Sequence, residues 1–169
     1  ILQEYGIEKC PKIVATSAIR EAKNAGVLLE KILERSNWPV KLISGEEEAM
    51  LSYQGATSLL SANPENCVVI DIGGGSTEFI WTENESLLSE SIPLGIVRVE
   101  QEELEESEIV ARIAPVAQRI VANRQQEPLQ VIAVGGTATD VSAALLGVRE
   151  YSREKVHGYQ LTRDALQGL

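Results

Sequence analysis

The segment Val68–Glu78 reads VVIDIGGGSTE and joins an apolar run to three consecutive glycines. The apolar run predicts a buried strand that ends near Asp71. After the glycines, residues 77–82 alternate in polarity, which predicts a second strand and not a helix. Glycines carry no Cβ, so they let backbone N–H groups come close to an anion. The segment therefore predicts a hairpin that holds phosphate at its turn; a tight hairpin without a ligand is the alternative.

Two common glycine motifs do not fit this segment. A dinucleotide-binding loop needs Gly-x-Gly-x-x-Gly at the start of a helix, whereas Glu78 occupies the third glycine position and a strand follows. A Walker-type phosphate loop needs Gly-Lys-Ser/Thr after its glycines, and the segment contains no such sequence. Both exclusions favour the hairpin.

A second glycine loop follows about 60 residues later, at Val134–Thr137. The apolar run Gln130–Val134 predicts a strand, and Gly135, Gly136 and Thr137 open a predicted helix. Free N–H groups and the helix dipole at such an N-terminus favour an anion. Close packing of the helix against the sheet is the alternative. The two loops together indicate a phosphate site more specifically than either loop alone.

The remaining chain mixes strands with helices, which predicts an α/β fold. Ser44 followed by Glu47 is a capping box that predicts a helix start, and Thr162 predicts the cap of the last helix. A helical stripe over 109–120 contains Pro115, which predicts a kink or a restart. Further apolar runs predict strands at 12–16, 40–43 and 87–92, and a strand or hairpin edge at 156–161.

Domain organisation follows from one polar segment, Asn63–Asn66, which predicts a boundary between two lobes. The first domain is predicted at 1–62 and includes a linking helix. The second is predicted at 63–169. The first lobe has few predicted strands, which leaves a sheet edge to be covered.

Composition narrows the functional classes. The chain has 169 residues, 44% of them apolar, and a net charge of −10. An acidic chain argues against a nucleic-acid partner, because phosphate contacts need clustered Lys and Arg. No apolar run approaches the ~20 residues that a membrane span requires. Cys10 and Cys67 match no metal spacing and are interpreted as small apolar residues in a reducing cytoplasm.

The chain resembles a known family. Val69–Glu78 resembles the second phosphate motif of the acetate kinase / sugar kinase / Hsp70 / actin superfamily, and Val131–Thr137 resembles its late glycine motif. The exopolyphosphatase / guanosine pentaphosphate phosphatase (Ppx/GppA) family is similar over nearly the whole chain. The additional motifs that carry this similarity are Ala15–Asn24, Ile43–Ala49, Pro93–Gly95 and Val156–Tyr159. The resemblance implies ribonuclease H-like, actin-like ATPase lobes, each a mixed sheet flanked by helices, with the first lobe incomplete.

The resemblance also implies an activity: hydrolysis of the terminal phosphoanhydride bond of inorganic polyphosphate, guanosine pentaphosphate or both. Glu48, directly before Ala49, holds the family's place for the base that activates water. Acids in the first turn of a helix are also favoured by its dipole, which is the alternative for Glu48. Arg20 is a candidate to neutralise developing charge or to grip the next phosphate, because its guanidinium fork fits phosphate oxygens; an arginine that is simply exposed on a helix is the alternative. Lys23 and Arg98 are further candidates for substrate contact.

Asp71 and Glu78 are candidates to hold Mg²⁺, because magnesium prefers oxygen ligands and shares them with substrate phosphates. The alternatives are a strand-end acid that supports the glycine loop and a solvated hairpin residue. The candidates for phosphate binding are Gly73, Gly74, Gly75, Ser76, Gly135, Gly136 and Thr137. Members of the family are often dimers, so the resemblance implies a possible homodimer for the full-length protein.

Two other functions are compatible with the sequence. An ATP-dependent kinase or ATPase of the same superfamily would need an adenosine pocket behind the late loop. The second function is a non-catalytic phosphate-binding module. Intact members of the family carry a first phosphate loop of the Asp-Ile-Gly-Ser-Asn-Ser type, and the 169 residues contain no such segment. We therefore expect the 169 residues alone to be inactive or nearly so.

Overall fold

The structure is a computed structural model and describes residues 12–20, 22–58, 66–122 and 129–168, the side chains of residues 17 and 18 excepted. Contacts divide the chain into two compact units, Ile1–Glu48 and Ala49–Leu169. The predicted boundary at 62–63 lies outside the described residues, as do Cys10 and most of the polar segment that suggested it. That boundary remains a prediction.

The first unit contains a two-stranded parallel sheet. Strand β1 (Ile13–Ala15) pairs with β2 (Val40–Leu42). Helices α1 (Ser17–Arg20) and α2 (Ala25–Ser36) connect them, because parallel strands need a crossover. Helix α3 (Gly45–Ser58) follows β2, and the unit division falls inside it.

The predicted start of α3 is confirmed by its cap. The backbone N–H of Glu47 donates to Ser44 Oγ at 3.1 Å, which satisfies one of the donors that a helix start leaves open. The Glu47 side chain does not complete the capping box. It pairs instead with Lys41, whose Nζ lies 2.5 Å from Glu47 Oε1.

The second unit is built on a four-stranded sheet in the order β5-β4-β3-β6. Strands β3 (Cys67–Ile72), β4 (Thr77–Glu83) and β5 (Ser86–Ile92) form an antiparallel meander, while β6 (Gln130–Val134) pairs parallel to β3. Short turns suffice for the meander, whereas β6 follows two helices, α4 (Ile96–Gln101) and α5 (Glu106–Ala122). The predicted mixed α/β sheet flanked by helices is confirmed.

Both faces of this sheet are covered, which explains why β3 is apolar on both sides. On one face, Val116 and Ile120 of α5 pack against strand side chains that include Trp81. On the other face, Ala49 and Tyr53 of α3 pack against strand residues, which are Cys67, Val69 and Ile80. Cys67 is fully buried, as its interpretation as a small apolar residue requires. Each large buried side chain contributes about 1.5–3 kcal/mol to folding.

The end of the second unit corrects one prediction. Residues 156–161 form no strand or hairpin edge; Val156 ends a short helix, α7 (Arg153–Val156). Its N–H donates to Ser152 O at 3.0 Å, and the residue is 5% exposed. Gly158 then has φ +74°, a left-handed conformation unsuited to a strand.

The other helices follow the sequence more closely. Helix α5 continues through Pro115, so the predicted restart does not occur. Helix α6 (Gly135–Leu145) begins at the late glycines, and Thr162 Oγ1 caps α8 (Arg163–Gln167) by accepting from Ala165 N–H at 3.2 Å. Across the described ranges, no helix has both the length and the apolar character to cross a membrane.

Candidate functional site

The first glycine loop, residues 73–76, is the turn between β3 and β4. It closes on itself where Gly73 N–H donates to Ser76 O at 3.0 Å. Its carbonyls are held by the first turn of α4. The bonds are Ile96 N–H to Gly73 O at 3.1 Å, Val97 N–H to Gly74 O at 2.9 Å, Arg98 N–H to Gly74 O at 3.2 Å, and Arg98 Nε–H to Gly75 O at 3.0 Å. The carbonyl oxygens of the loop therefore anchor it to α4.

This anchoring decides where the donors of the loop point. In a planar trans peptide, the C=O of one residue and the N–H of the next point in opposite directions. Because the three glycine carbonyls face α4, the N–H groups of Gly74, Gly75 and Ser76 face away from it. Successive N–H groups in a turn of this kind make a concavity that suits an anion.

Gly95, the residue before α4, makes the close approach possible. A Cβ at Gly95 would lie 2.4 Å from the carbonyl carbon and oxygen of Gly74 and 2.6 Å from Gly75 N. These are backbone atoms that cannot move aside without moving the loop. A further anchor comes from Thr77, whose buried hydroxyl donates to the carbonyl of Leu94. Only glycine fits at residue 95.

Asp71 and Glu78 are brought together by the strand register. They are direct partners in the antiparallel pairing of β3 and β4, so both side chains lie on the α3 face of the sheet. Ser91 on β5 extends the row as the partner of Glu78. Glu78 Oε1 accepts hydrogen bonds from Ser76 Oγ at 2.6 Å and from Ser91 Oγ at 2.8 Å. Hydroxyl donors thus hold the carboxylate of Glu78 in place.

The late glycine loop lies beside the first one, because β6 is parallel to β3 and Val134 pairs with Asp71. Gly135 has φ +90°, and a Cβ there would stand 2.6 Å from Asp71 Oδ1. The Asp71 carboxylate therefore abuts the N-terminus of α6, where the helix dipole favours negative charge. Gly136 and Thr137 continue this first turn.

Arg20 and Glu48 meet within the first unit. Each follows a strand of the parallel pair, and the carboxyl ends of parallel strands meet at one edge. Arg20 Nη1 lies 3.6 Å from Glu48 Oε2 and donates to Ile43 O at 2.9 Å. Both side chains are about one-third exposed, at 33% and 35%. The pair is thus ordered by a backbone carbonyl and remains accessible to solvent.

Three residues at the first loop have roles that the sequence did not reveal. The sequence places Gly95 only within a family motif, gives no signal for Ser91 and makes Arg98 a candidate for substrate contact. Arg98 instead directs Nε–H at the Gly75 carbonyl. The sequence pattern that could have indicated the role of Gly95 is a glycine placed between a strand-ending proline and a helix.

These features define the class of the protein. The mixed sheet flanked by helices is an actin-like ATPase-type fold, and solved structures of this fold match the chain. A model of the Ppx/GppA phosphatase family matches residues 1–169. The chain therefore belongs to the Ppx/GppA phosphatase family.

Individual relatives agree with this assignment. The chain is 29% identical over 160 residues to exopolyphosphatase 2 of Mycobacterium tuberculosis (strain CDC 1551 / Oshkosh), covering 86% of this chain and 50% of that protein. The crystal structure of the Aquifex aeolicus Ppx/GppA family member superimposes with a TM-score of 0.72 at 30% identity, covering 99% of this chain and 56% of that one. An exopolyphosphatase from Cytophaga hutchinsonii shares the fold, with a TM-score of 0.77 at 24% identity. The chain spans about half the length of the curated relatives it matches.

Proposed function

We propose that this protein hydrolyses the terminal phosphoanhydride bond of inorganic polyphosphate or of guanosine pentaphosphate. The observation that carries the proposal is the first glycine loop, whose carbonyls are tied to α4 while three successive N–H groups point the other way. Successive N–H groups of this kind bind anions, and phosphate oxygens are suitable acceptors for them. Membership of the family and likeness to exopolyphosphatase 2 support the same substrate class.

The charge of the chain makes local donors important. A net charge of −10 does not attract a polyanion over long distances. The loop N–H groups, the first turn of α6 at Gly135–Thr137 and the guanidinium of Arg20 are the donors that the proposal assigns to phosphate. The same balance of charge argues against a nucleic-acid partner.

Glu48 is proposed as the base that positions and deprotonates the attacking water. Its side chain is 35% exposed, so the carboxylate can exchange the proton with solvent after each turnover. Arg20 is fixed by the Ile43 carbonyl and lies beside Glu48. In the proposal, its guanidinium neutralises charge that develops on the phosphoryl oxygens in the transition state.

Mg²⁺ is the cofactor that the proposal includes, and two residues fit it. Asp71 and Glu78 present carboxylates from opposed positions on one face, and hard oxygen ligands suit Mg²⁺. Within the described parts of the chain, no cluster of three or more His, Cys, Asp and Glu could hold a metal ion alone. Such a pair suits an ion that is also bound by substrate phosphates. When bound, Mg²⁺ offsets the negative charge of those phosphates.

The test is phosphate release by the full-length protein from polyphosphate, guanosine pentaphosphate and ATP, each with and without Mg²⁺. We expect Mg²⁺-dependent release from at least one of the first two substrates and little from ATP. Tight ATP binding without release from either of the first two would instead favour a kinase or ATPase. The proposal also includes a cytoplasmic location and a homodimer, the latter tested by sedimentation of the full-length protein.

A further inference from the structure

Arg98 holds the first glycine loop with both its backbone and its side chain. Its N–H donates to Gly74 O at 3.2 Å and its Nε–H to Gly75 O at 3.0 Å. Its Nη1 donates to Glu102 Oε1 at 3.1 Å. Because the guanidinium is planar, its orientation toward the Gly75 carbonyl depends on what holds its other nitrogens.

Glu102 and Arg112 extend this contact into a brace, which consists of Arg98, Glu102 and Arg112. Glu102 Oε2 accepts from Arg112 Nη2 at 2.8 Å, and Arg112 Nη1 donates to Pro93 O at 3.3 Å. Hydrogen bonds from Arg112 and then from Arg98 lower the pKa of Glu102, so its carboxylate stays ionised between the two guanidinium groups. The brace thus connects the loop to α5 and to the end of β5.

We propose that Arg98 is a positioning residue of the phosphate site, which turns the last peptide of the glycine loop so that Ser76 N–H faces the phosphate chain. Glu102 and Arg112 act through Arg98 by fixing its guanidinium. This inference rests on the proposed function, and it gives Arg98 a role other than the substrate contact for which the sequence makes it a candidate.

The geometry favours positioning over direct contact. An arginine that grips a phosphate directs its fork at the anion, whereas Arg98 directs Nε–H at a carbonyl and Nη1 at a carboxylate. Glu102 also offsets the charge that would attract a polyanion. The three side chains are 34–42% exposed, and exposed ion pairs contribute little to global stability. The brace is therefore expected to act mainly on the loop and to have only a small effect on the global stability of the fold.

Kinetics of the full-length protein distinguish positioning of the loop by Arg98 from direct contact of Arg98 with substrate. We expect Arg98→Met and Glu102→Gln each to lower kcat/KM for polyphosphate by about 10- to 100-fold, largely through kcat, because the loop donors lose their alignment. Arg98→Lys should not restore activity, since an ammonium cannot reproduce the planar geometry. Arg149→Met, an exposed arginine after α6, is the matched control and should leave kcat/KM unchanged.

Glu102→Gln is the decisive variant, because it removes a negative charge near the site. If Arg98 acts only by attracting the polyanion, this change strengthens substrate binding. Wild-type or improved kcat/KM in Glu102→Gln, or wild-type kinetics in Arg98→Lys, would overturn the inference.

Hydrogen exchange of the unliganded full-length protein tests the brace without substrate. The amides of Val97 and Arg98 donate to Gly74 O, so a loosened brace should speed their exchange by about 10-fold in Arg98→Met. Arg149→Met should exchange like wild type. If wild-type protein hydrolyses neither substrate, the proposed function fails, and this exchange result still decides whether the brace holds the loop. Unchanged exchange of these amides in Arg98→Met would contradict the proposal that the brace holds the loop.

Discussion

Asp71 on β3 and Glu78 on β4 are direct cross-strand partners, and their carboxylates lie on one face of the sheet. Like charges in opposed positions destabilise a sheet unless something compensates them. Two serine hydroxyls donate to Glu78, and the N-terminus of α6 adjoins Asp71. A cation shared with substrate phosphates would compensate the pair further.

Replacing Asp71 with Asn in the full-length protein should raise the Mg²⁺ concentration needed for half-maximal hydrolysis by at least about 10-fold. The amide keeps the shape of the side chain and removes its charge. Phosphate release measured across a Mg²⁺ titration checks this. Glu85→Gln is the control, because Glu85 is an exposed acid in the turn at the far end of β4. If Asp71→Asn and wild type need the same Mg²⁺ concentration, Asp71 does not bind the ion and only supports the late loop.

Glu48→Gln in the full-length protein should lower kcat by about 10²- to 10⁴-fold while substrate still binds, because the amide cannot accept the proton of the attacking water. Single-turnover phosphate release together with equilibrium binding of a labelled polyphosphate separates the two effects. Glu46→Gln is the matched control, an exposed acid in the same first turn. Full activity in Glu48→Gln would remove Glu48 from the mechanism.

Gly95→Ala should displace the first glycine loop, because the added methyl group would lie 2.4 Å from the Gly74 carbonyl. We expect a loss of about 1–3 kcal/mol in the free energy of unfolding, measured by urea denaturation, and weaker polyphosphate binding. The matched control is Gly55→Ala in α3, where a Cβ meets no atom of the described residues within 4 Å. That change should be neutral or stabilise by about 0.5–1 kcal/mol, since alanine favours a helix. Equal effects of the two substitutions would contradict the steric role of Gly95.

The brace predicts a pH dependence through Glu102. Its pKa is lowered from the usual value of 4.5 by Arg112 and Arg98, so the ionised carboxylate stabilises the folded state. That contribution is complete above the unfolded pKa and is lost as the pH falls through the folded pKa. Glu102→Gln should therefore lower the urea midpoint only slightly at about pH 7, as exposed ion pairs do, and this small difference from wild type should shrink below about pH 4.5. Glu100→Gln, an exposed neighbour on α4, is the control. A difference that persists unchanged at low pH would exclude ionisation of Glu102 as the cause.

The sequence predicted the core of the second unit well, because β3, β4 and β5 carry clear apolar and alternating patterns between short turns. It failed at Val156, where a few apolar residues suggested a strand. No neighbouring strand pairs with this segment within the described residues, and the N–H of Val156 is used in a helical turn. Short apolar runs do not distinguish a strand from a buried helical turn.

Within the candidate site, the sequence indicated which loops carry glycine and which acids flank them. The family resemblance indicates Arg20 and Glu48, and the structure places Arg20 Nη1 3.6 Å from Glu48 Oε2. For Arg98 the sequence is a poor guide, because a positive charge near a phosphate loop suggests substrate contact. Its actual partners, the Gly75 carbonyl and Glu102, depend on how α4 packs on the loop.

By itself, the sequence determined the order of the elements as far as α6, the turn at the three glycines and the caps at Ser44 and Thr162. These features depend on neighbouring residues, through alternation, backbone freedom and local hydrogen bonds. Only the tertiary structure decided that Gly95 packs on Gly74, that Ser91 donates to Glu78 and that Arg98 fixes the last glycine carbonyl. Such contacts join different elements, and strand register and helix packing set them; no local pattern specifies which side chains will meet.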